Sequence, residues 1–493
     1  MNSINLLYRA GESKKNYQKR IVCRLAKNEL IEKLVVISRS DDIPKNNKKI
    51  IEYQSEIGWS YKFYQMQEYL ESMPLNRKIL EGLRAYEATA LLIAGRDTNF
   101  DIYSVQEAHK LFYDSIRFWN HIIDKFHINY MVFGYVPHVL HEYAIYCLAK
   151  VKKIPMTVFS GTHIPGVYVW GKDISSIGNN IGEIYIQGDL STELSNKKLI
   201  GYLNKNYYKN TSVQILNKPN MIKNSKIELY RFIDKRTVFK RFGSFFKSIL
   251  LQKPVDIQYI KKNIHDTFRA YSVFQRQKKL KYYNTIASFP NYKEKYIFFA
   301  LQLQPESTTL PGAGVFADQL FSIRILAKAA KINGVKVYVK EHFVQLSRDR
   351  IFYDDLRKID NIYLIKMDIP TEELIDHALA VSTQTGSCSL EAVLKKKNAF
   401  VFGDNYYWKN IPGIYKIDNV SQCDRLIKQI LDGTINEIKE EEILKYFHAI
   451  EKKSIEIFSY VSEIKGRDFY YEESIYNFVS LILQILQNSF IKD

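Results

Sequence analysis

Residues 317–341 read ADQLFSIRILAKAAKINGVKVYVKE. The first sixteen form a helical pattern, Asn333-Gly334 ends it, and the alternation in VKVYVKE marks a strand. The neighbouring segments continue the series. KYIFFALQ (295–302) reads as a strand before it; NIYLIK (361–366), LAVST (379–383) and AFVFG (399–403) read as strands after it. Helices TEELIDHA (371–378) and SLEAVLKKK (389–397) fall between these strands. Strands and helices alternating at this spacing predict a doubly wound parallel sheet, whose ligands bind outside the carboxyl ends of its strands.

The first half carries a looser version of the same order. KLVVIS (33–38) is a short buried strand, and long helical patterns run from about Ser60 to Phe126. Strand INYMVFGY (128–135), helix PHVLHEYAIYCLAKVKK (137–153) and strand PMTVFSG (155–161) then predict parallel pairing through a right-handed crossover. At 493 residues the chain exceeds what one core fills, so two domains are expected. The divisions are 1–190 for the first domain, 191–290 for a linking segment, 291–440 for the second domain, and 441–493 for helices packing back across both.

The net charge of +18 is concentrated. Between Lys197 and Lys281 there are 21 basic and four acidic residues. Within that stretch VFKRFGSFFKSILL (238–251) places Phe239, Phe242, Phe246, Ile249 and Leu250 on one side of a helix flanked by Lys240, Arg241 and Lys247. Such a helix either lies on an anionic membrane surface, where each basic residue contributes about 1 kcal/mol, or packs on its own domain with a solvated rim. Membrane contact through 235–281 is the favoured expectation. No nucleic-acid-binding signature accompanies the charge, so nucleic acid is not expected as a partner. The four cysteines lie far apart, MNSINLLYRAGESKKN lacks a signal-peptide pattern, and no run of 18 apolar residues occurs. The expected location is the cytoplasm, with peripheral contact at the inner face of the membrane.

Strand ends in the second half carry chemistry. Lys340, Glu341 and His342 close VKVYVKEH, where turn-forming residues are usual; simple solvation of a strand end is the plain alternative. After strand 295–302 come Gln302, Gln304, Glu306, Ser307, Thr308 and Thr309; after strand 379–383 come Thr385, Gly386, Ser387 and Ser389, leading into a helix. Hydroxyls and backbone N–H groups around Gly386 suit a phosphate, although Ser and Thr also cap helices for structural reasons. Three polar loops at one sheet edge predict a nucleotide pocket.

QPESTTLPGAG, VYVKEHF and TQTGSCSLEAV followed by FGDNYYW resemble the bacterial capsule polysaccharide biosynthesis family, which includes Kdo transferases and related enzymes. The similarity spans roughly 295–410 and extends loosely to FGYVPHVLHEYAIYCLAK. The resemblance implies an α/β fold of two Rossmann-like domains facing a cleft (the GT-B arrangement), joined by a basic, largely helical segment. It also implies that His342 contacts the phosphate of a CMP-activated sugar, that Ser387 and Ser389 meet the same phosphate, and that Glu391 reaches ribose or base. Phe343 stands where the family's proline is usual. Gln302, Gln304, Thr308, Lys340, Thr385 and Gly386 complete the expected donor site. No isolated DxD suits a divalent ion, so neither metal nor other cofactor is expected; His342 or Lys340 would neutralise the leaving phosphate.

An acceptor hydroxyl needs a base, or a carboxylate nucleophile if configuration is retained. His138, His141 and Glu142 follow strand 128–135, and His163 follows strand 155–161. His138 and Glu142 are the catalytic candidates there, Glu306 is the alternative carboxylate on the donor side, and His141 and His163 are assigned to the acceptor. The resulting reading is a metal-independent glycosyltransferase. Its donor would be CMP-Kdo or another CMP-ulosonic acid, and its acceptor a capsule or other surface glycan precursor, free or lipid-linked. A nucleotide-sugar epimerase of similar fold and a non-catalytic glycan- or membrane-binding protein are the alternatives.

Overall fold

The computed structural model describes residues 3–11, 15–38, 43, 47–54, 62–96, 105–208, 282–303, 307–342, 348, 350–457 and 468–490. The expected amphipathic helix at 238–251, most of the basic segment, and Gln304 and Glu306 lie outside these residues.

Two sheets organise the chain. The first contains β1 (Ile4–Arg9), β2 (Ile31–Ser38), β3 (Ile50–Gln54), β4 (Tyr130–Phe133), β5 (Met156–Gly161) and β6 (Val167–Gly171). The second is built from β7 (Tyr296–Ala300), β8 (Lys336–Lys340), β9 (Ile362–Ile365), β10 (Ala380–Thr383), β11 (Asn398–Val401) and β12 (Ile414–Lys416). A late strand, β13 (Ser454–Glu456), returns to the first sheet and pairs antiparallel with β6. The spatial orders are β13-β6-β5-β4-β1-β2-β3 and β12-β11-β10-β7-β8-β9. Every pairing in the second sheet is parallel, as are those from β3 to β5 in the first. The α/β class with two Rossmann-like sheets is therefore as expected.

Each sheet begins in its middle. β7 has β8 on one side and β10 on the other, and β1 has β2 on one side and β4 on the other. The direction of winding reverses at those positions, leaving a crevice at the carboxyl ends of the flanking strands. β1 was not foreseen as a strand. Its sequence INLLYR is fully buried, but Asn5 and Arg9 break the apolar run by which a central strand is recognised.

Strands of the second sheet are apolar on both faces because helices cover both. Ile297, Phe299, Val337 and Val339 pack on one side; Tyr296, Phe298 and Tyr338 pack on the other. The rings of Tyr296 and Tyr338 stack with centroids 4.2 Å apart. Helix Gln319–Ile332 starts where the Asp318 carboxylate accepts from the Leu320 N–H (3.0 Å), and it stops at Gly334, whose φ of +66° suits a residue without Cβ. The long helical region expected from Ser60 to Phe126 divides into Arg77–Arg96 and Val105–Lys125, with a shorter helix Gln67–Leu70 before them.

C-terminal elements cross to the first sheet. Helix Glu440–Lys452 packs on helix Ser176–Gln187, and helix Asp468–Phe490 packs on helix Lys15–Lys27. The Phe478 ring meets Phe159 edge-on at 4.8 Å, and the hydroxyls of Tyr17 and Ser474 lie 2.7 Å apart. Between the lobes, segment 406–410 rests on helix Ser176–Gln187. Asn410 Nδ2 donates to the Gly178 carbonyl (3.1 Å). A Cβ at Gly178 would overlap the Tyr406 carbonyl, and one at Gly182 would overlap the Asn410 amide. Glycines at this i, i+4 spacing let the loop approach the helix backbone.

Ala favours an exposed helix over Gly by about 1 kcal/mol. Gly178→Ala should nevertheless lower stability by about 1–3 kcal/mol, because the overlapping atom is backbone and cannot rotate away. Urea unfolding measures this, and a gain in stability would show that the lobes do not meet here.

Candidate active site

The carboxyl ends of β7, β8 and β10 bring three loops together. The Gln302 side chain bridges two of them: its Oε1 accepts from the Thr385 N–H (3.0 Å), and its Nε2 donates to Thr385 Oγ1 (3.3 Å). The Thr385 hydroxyl donates in turn to the Thr308 carbonyl (2.7 Å). Gln302 backbone groups pair with the Gln319 amide, at 2.8 and 3.1 Å. The expected residues Gln302, Thr308, Thr385 and Gly386 thus form one cluster. Gly386 sits so close to Thr383 that a Cβ would stand 2.7 Å from its hydroxyl.

Glu341 is the anchor of the β8 loop. Its carboxylate is fully buried and accepts from Arg348 Nε (2.7 Å), from the Tyr353 hydroxyl (2.7 Å) and from the His342 N–H (2.7 Å). Arg348 also donates to the Gln302 carbonyl (2.8 Å), tying the β8 loop to the β7 loop. Arg348 was not among the expected residues; lying seven positions from Glu341, it leaves no spacing signal.

Lys340 and His342 point to different tasks. The Lys340 ammonium donates to the Ile369 carbonyl (2.5 Å) and the Thr371 hydroxyl (2.8 Å), holding the loop that precedes helix Thr371–His377. Burial pushes the His342 imidazole down to about 4, and the positive charges of Arg348 and Lys340 act in the same direction. His342 is therefore neutral at pH 7, a hydrogen-bonding group rather than the imidazolium considered above.

The Ser387 hydroxyl donates to Glu391 Oε1 (3.2 Å). Ser389 is fully buried; it accepts from Trp408 Nε1 (2.8 Å) and donates to the Gly386 carbonyl (2.8 Å). It supports the loop from within.

The first lobe has its own polar cluster at the β1/β4 crevice. Arg9, at the end of β1, donates from Nε to Glu142 Oε1 (2.6 Å) and also meets Tyr135 and the Ala10 carbonyl. The Tyr135 hydroxyl donates to the same carboxylate oxygen. His141 Nε2 is 3.8 Å from Glu142 Oε1, and all three of Arg9, His141 and Glu142 are buried. Burial pushes the Glu142 carboxyl up, but Arg9, His141 and His138, together with the Tyr135 hydroxyl, outweigh it and hold the group below the usual carboxylate range. His138, half-buried, faces the Tyr135 ring at 5.5 Å and has Nδ1 2.9 Å from the Val136 carbonyl. Arg9 leaves no signal in the sequence because its partner Glu142 lies 133 positions away.

His163 stands apart from that cluster. Its Nδ1 lies 3.2 Å from the Tyr407 hydroxyl, and its ring meets Trp408 edge-on at 4.7 Å. Burial lowers its imidazole to about 4. Among the described residues no three of His, Cys, Asp and Glu gather as metal ligands.

The family model described as "Capsule polysaccharide biosynthesis protein" matches residues 250–424, a span that includes β7 to β12 and the segments that follow β7, β8 and β10. The resemblance to the capsule polysaccharide biosynthesis family thus holds over this part of the chain. No curated protein matches. Among solved structures, the chain is similar to the KpsC β-Kdo 2,7 transferase of Thermosulfurimonas dismutans at 12% identity, covering 74% of this chain and 89% of that one with a TM-score of 0.32. It is also similar to the UDP-GlcNAc 2-epimerase of Methanocaldococcus jannaschii at 10% identity, covering 92% and 99% with a TM-score of 0.27. Both likenesses are remote.

Removing one partner of a buried ion pair costs about 3–5 kcal/mol, because the other charge stays buried. Arg9→Ala should lose that much in urea unfolding, whereas Arg9→Met with Glu142→Leu should lose markedly less; equal losses would overturn the pairing. A depressed carboxyl stabilises the fold above its unfolded-state value, and this is lost as pH falls through the folded-state value. Wild-type stability should therefore decline on acidification, and the double variant should show a shallower decline over the same range.

Proposed function

We propose that the protein is a glycosyltransferase that moves a sugar from a nucleotide-activated donor onto a capsule or other surface-glycan precursor. One observation carries the reading: within the family-matched span, the loops after β7, β8 and β10 are hydrogen-bonded to one another at the point where the sheet reverses its winding. That is where α/β sheets bind nucleotides. The donor is CMP-Kdo or another CMP-ulosonic acid, as the resemblance implies.

In this reading the donor phosphate lies against the Gln302–Thr385 cluster and His342, with Gln304, Ser387 and Glu391 completing its surroundings. Neutral His342 donates a hydrogen bond to a phosphate oxygen, and an approaching anion favours its protonation, which would offset charge developing on the leaving group. The acceptor hydroxyl enters from the first lobe. His138 is the base: with its Nδ1–H directed to the Val136 carbonyl, Nε2 carries the lone pair that takes the proton. Glu142, locked to Arg9, positions Tyr135 beside it. The acceptor is a glycan or lipid-linked glycan at the inner face of the membrane, and the basic residues of 235–281 draw the enzyme to that anionic surface.

The reading is tested by screening nucleotides for thermal stabilisation, since a ligand at a hundred times its Kd adds about 2.7 kcal/mol. CMP should raise the melting temperature. His342→Ala should weaken nucleotide binding or turnover at least about tenfold, a change of about 1.4 kcal/mol, while the fold persists. Unchanged kinetics would remove His342 from the site. Interconversion of a nucleotide sugar without acceptor would replace the transferase by an epimerase. Neutralising basic residues within 235–247 should reduce sedimentation with phosphatidylserine vesicles; equal sedimentation would overturn the membrane contact.

A further inference from the structure

His163 belongs to the first lobe, yet its side chain contacts only begin a chain that ends beneath the donor loop of the second. Its backbone N–H and Nδ1 both lie within reach of the Tyr407 hydroxyl, at 3.4 and 3.2 Å. Its ring packs edge-on against Trp408 at 4.7 Å. Trp408 is buried, and its indole N–H is directed at Ser389 Oγ (2.8 Å), which donates to the Gly386 carbonyl (2.8 Å). Gly386 follows Thr385, the residue held by Gln302. The intervening segment is fixed on its other side as well. Tyr446 donates to the Tyr407 carbonyl (2.9 Å), and Asn410 is bound to the Gly178 carbonyl. A rigid aromatic strut thus joins a first-lobe loop to the interior of the 384–389 turn.

We propose that His163 is a positioning residue for the donor loop, acting through Tyr407 and Trp408 on Ser389, so that seating of the two lobes and the shape of the nucleotide-phosphate loop are one coupled event. The proposal rests on the donor-site reading above for its ligand, but its mechanical part does not need that ligand. It gives His163 a different role from the acceptor contact expected from sequence. Ser389 likewise acts from beneath the loop. Close-packed interiors transmit strain between neighbouring side chains, and the coupling itself is what the following comparison of variants reads.

The test compares His163→Ala, Trp408→Phe and the double variant with wild type. Trp408→Phe keeps an aromatic ring and removes the N–H; His163→Gln keeps a side-chain amide able to bond Tyr407. Amide hydrogen exchange of 384–391 is the primary readout. Each single variant should accelerate exchange there by about three- to tenfold, the double variant by no more than the larger single, and His163→Gln should restore much of the protection. Strand 336–340 should exchange as in wild type. CMP and UDP affinities by calorimetry form a second arm, with the nucleotide that wild type binds weakening by a similar factor. Unchanged exchange at 384–391, additive effects, or acceleration spread equally over 336–340 would overturn the coupling. Coupled exchange in a wild type that binds neither nucleotide would retain the coupling and overturn the donor-site reading instead.

Discussion

The Glu341–Arg348 pair holds the β7 and β8 strand ends of this protein together. Both side chains are removed from water, and desolvation costs several kcal/mol per ion even after relaxation. Attraction between the two charges alone does not secure so buried a pair. The carboxylate is also met by Tyr353 and by the His342 N–H, while the guanidinium reaches the Gln302 carbonyl. Well-packed apolar residues could fill the same volume at equal or greater stability. What they could not do is join the β7 and β8 loops by directed bonds while leaving His342 at the strand end. The charged ending of VKVYVKEH resolves in this way: Glu341 anchors Arg348 and Tyr353, Lys340 fastens the segment before helix Thr371–His377, and the imidazole follows.

The first lobe repeats the arrangement with different residues. Arg9 and Glu142 form a buried pair at the β1/β4 crevice, as Glu341 and Arg348 do beside β7 and β8. In each lobe the pair stands where the sheet changes winding direction and a histidine lies next to it. The two histidines differ in setting. His138 is half-buried and oriented through a backbone carbonyl, whereas His342 is depressed by burial beside two positive charges.

Much of the second lobe was legible in the chain. Strands 295–302, 335–341 and 379–383 fall within a residue or two of β7, β8 and β10, because their apolar residues are patterned locally, as short runs in the first and third and as alternation in the second. The first lobe was less transparent. β1 carries Asn5 and Arg9 within six residues; the Asn5 side-chain amide donates to the His127 carbonyl and Arg9 pairs with Glu142, both more than a hundred positions away. The polar loops were recognised as a group, but the jobs of their members were not. Lys340 and Ser389 look like ligand-binding groups in a linear string, yet one secures Ile369 and Thr371 and the other supports Gly386 against Trp408.

By itself the sequence determined periodicity, and through it most of the order of strands and helices, the two-sheet α/β class and the sheet edges at which polar loops gather. Those properties follow from local spacing, since an apolar face must be buried whatever lies elsewhere. Only the tertiary structure decided which polar side chain faces its own protein and which faces the crevice. Arg9 with Glu142, Arg348 with Gln302, and His163 with Tyr407 are pairings between distant segments. A charge or imidazole takes its protonation state from neighbours that chain spacing does not reveal.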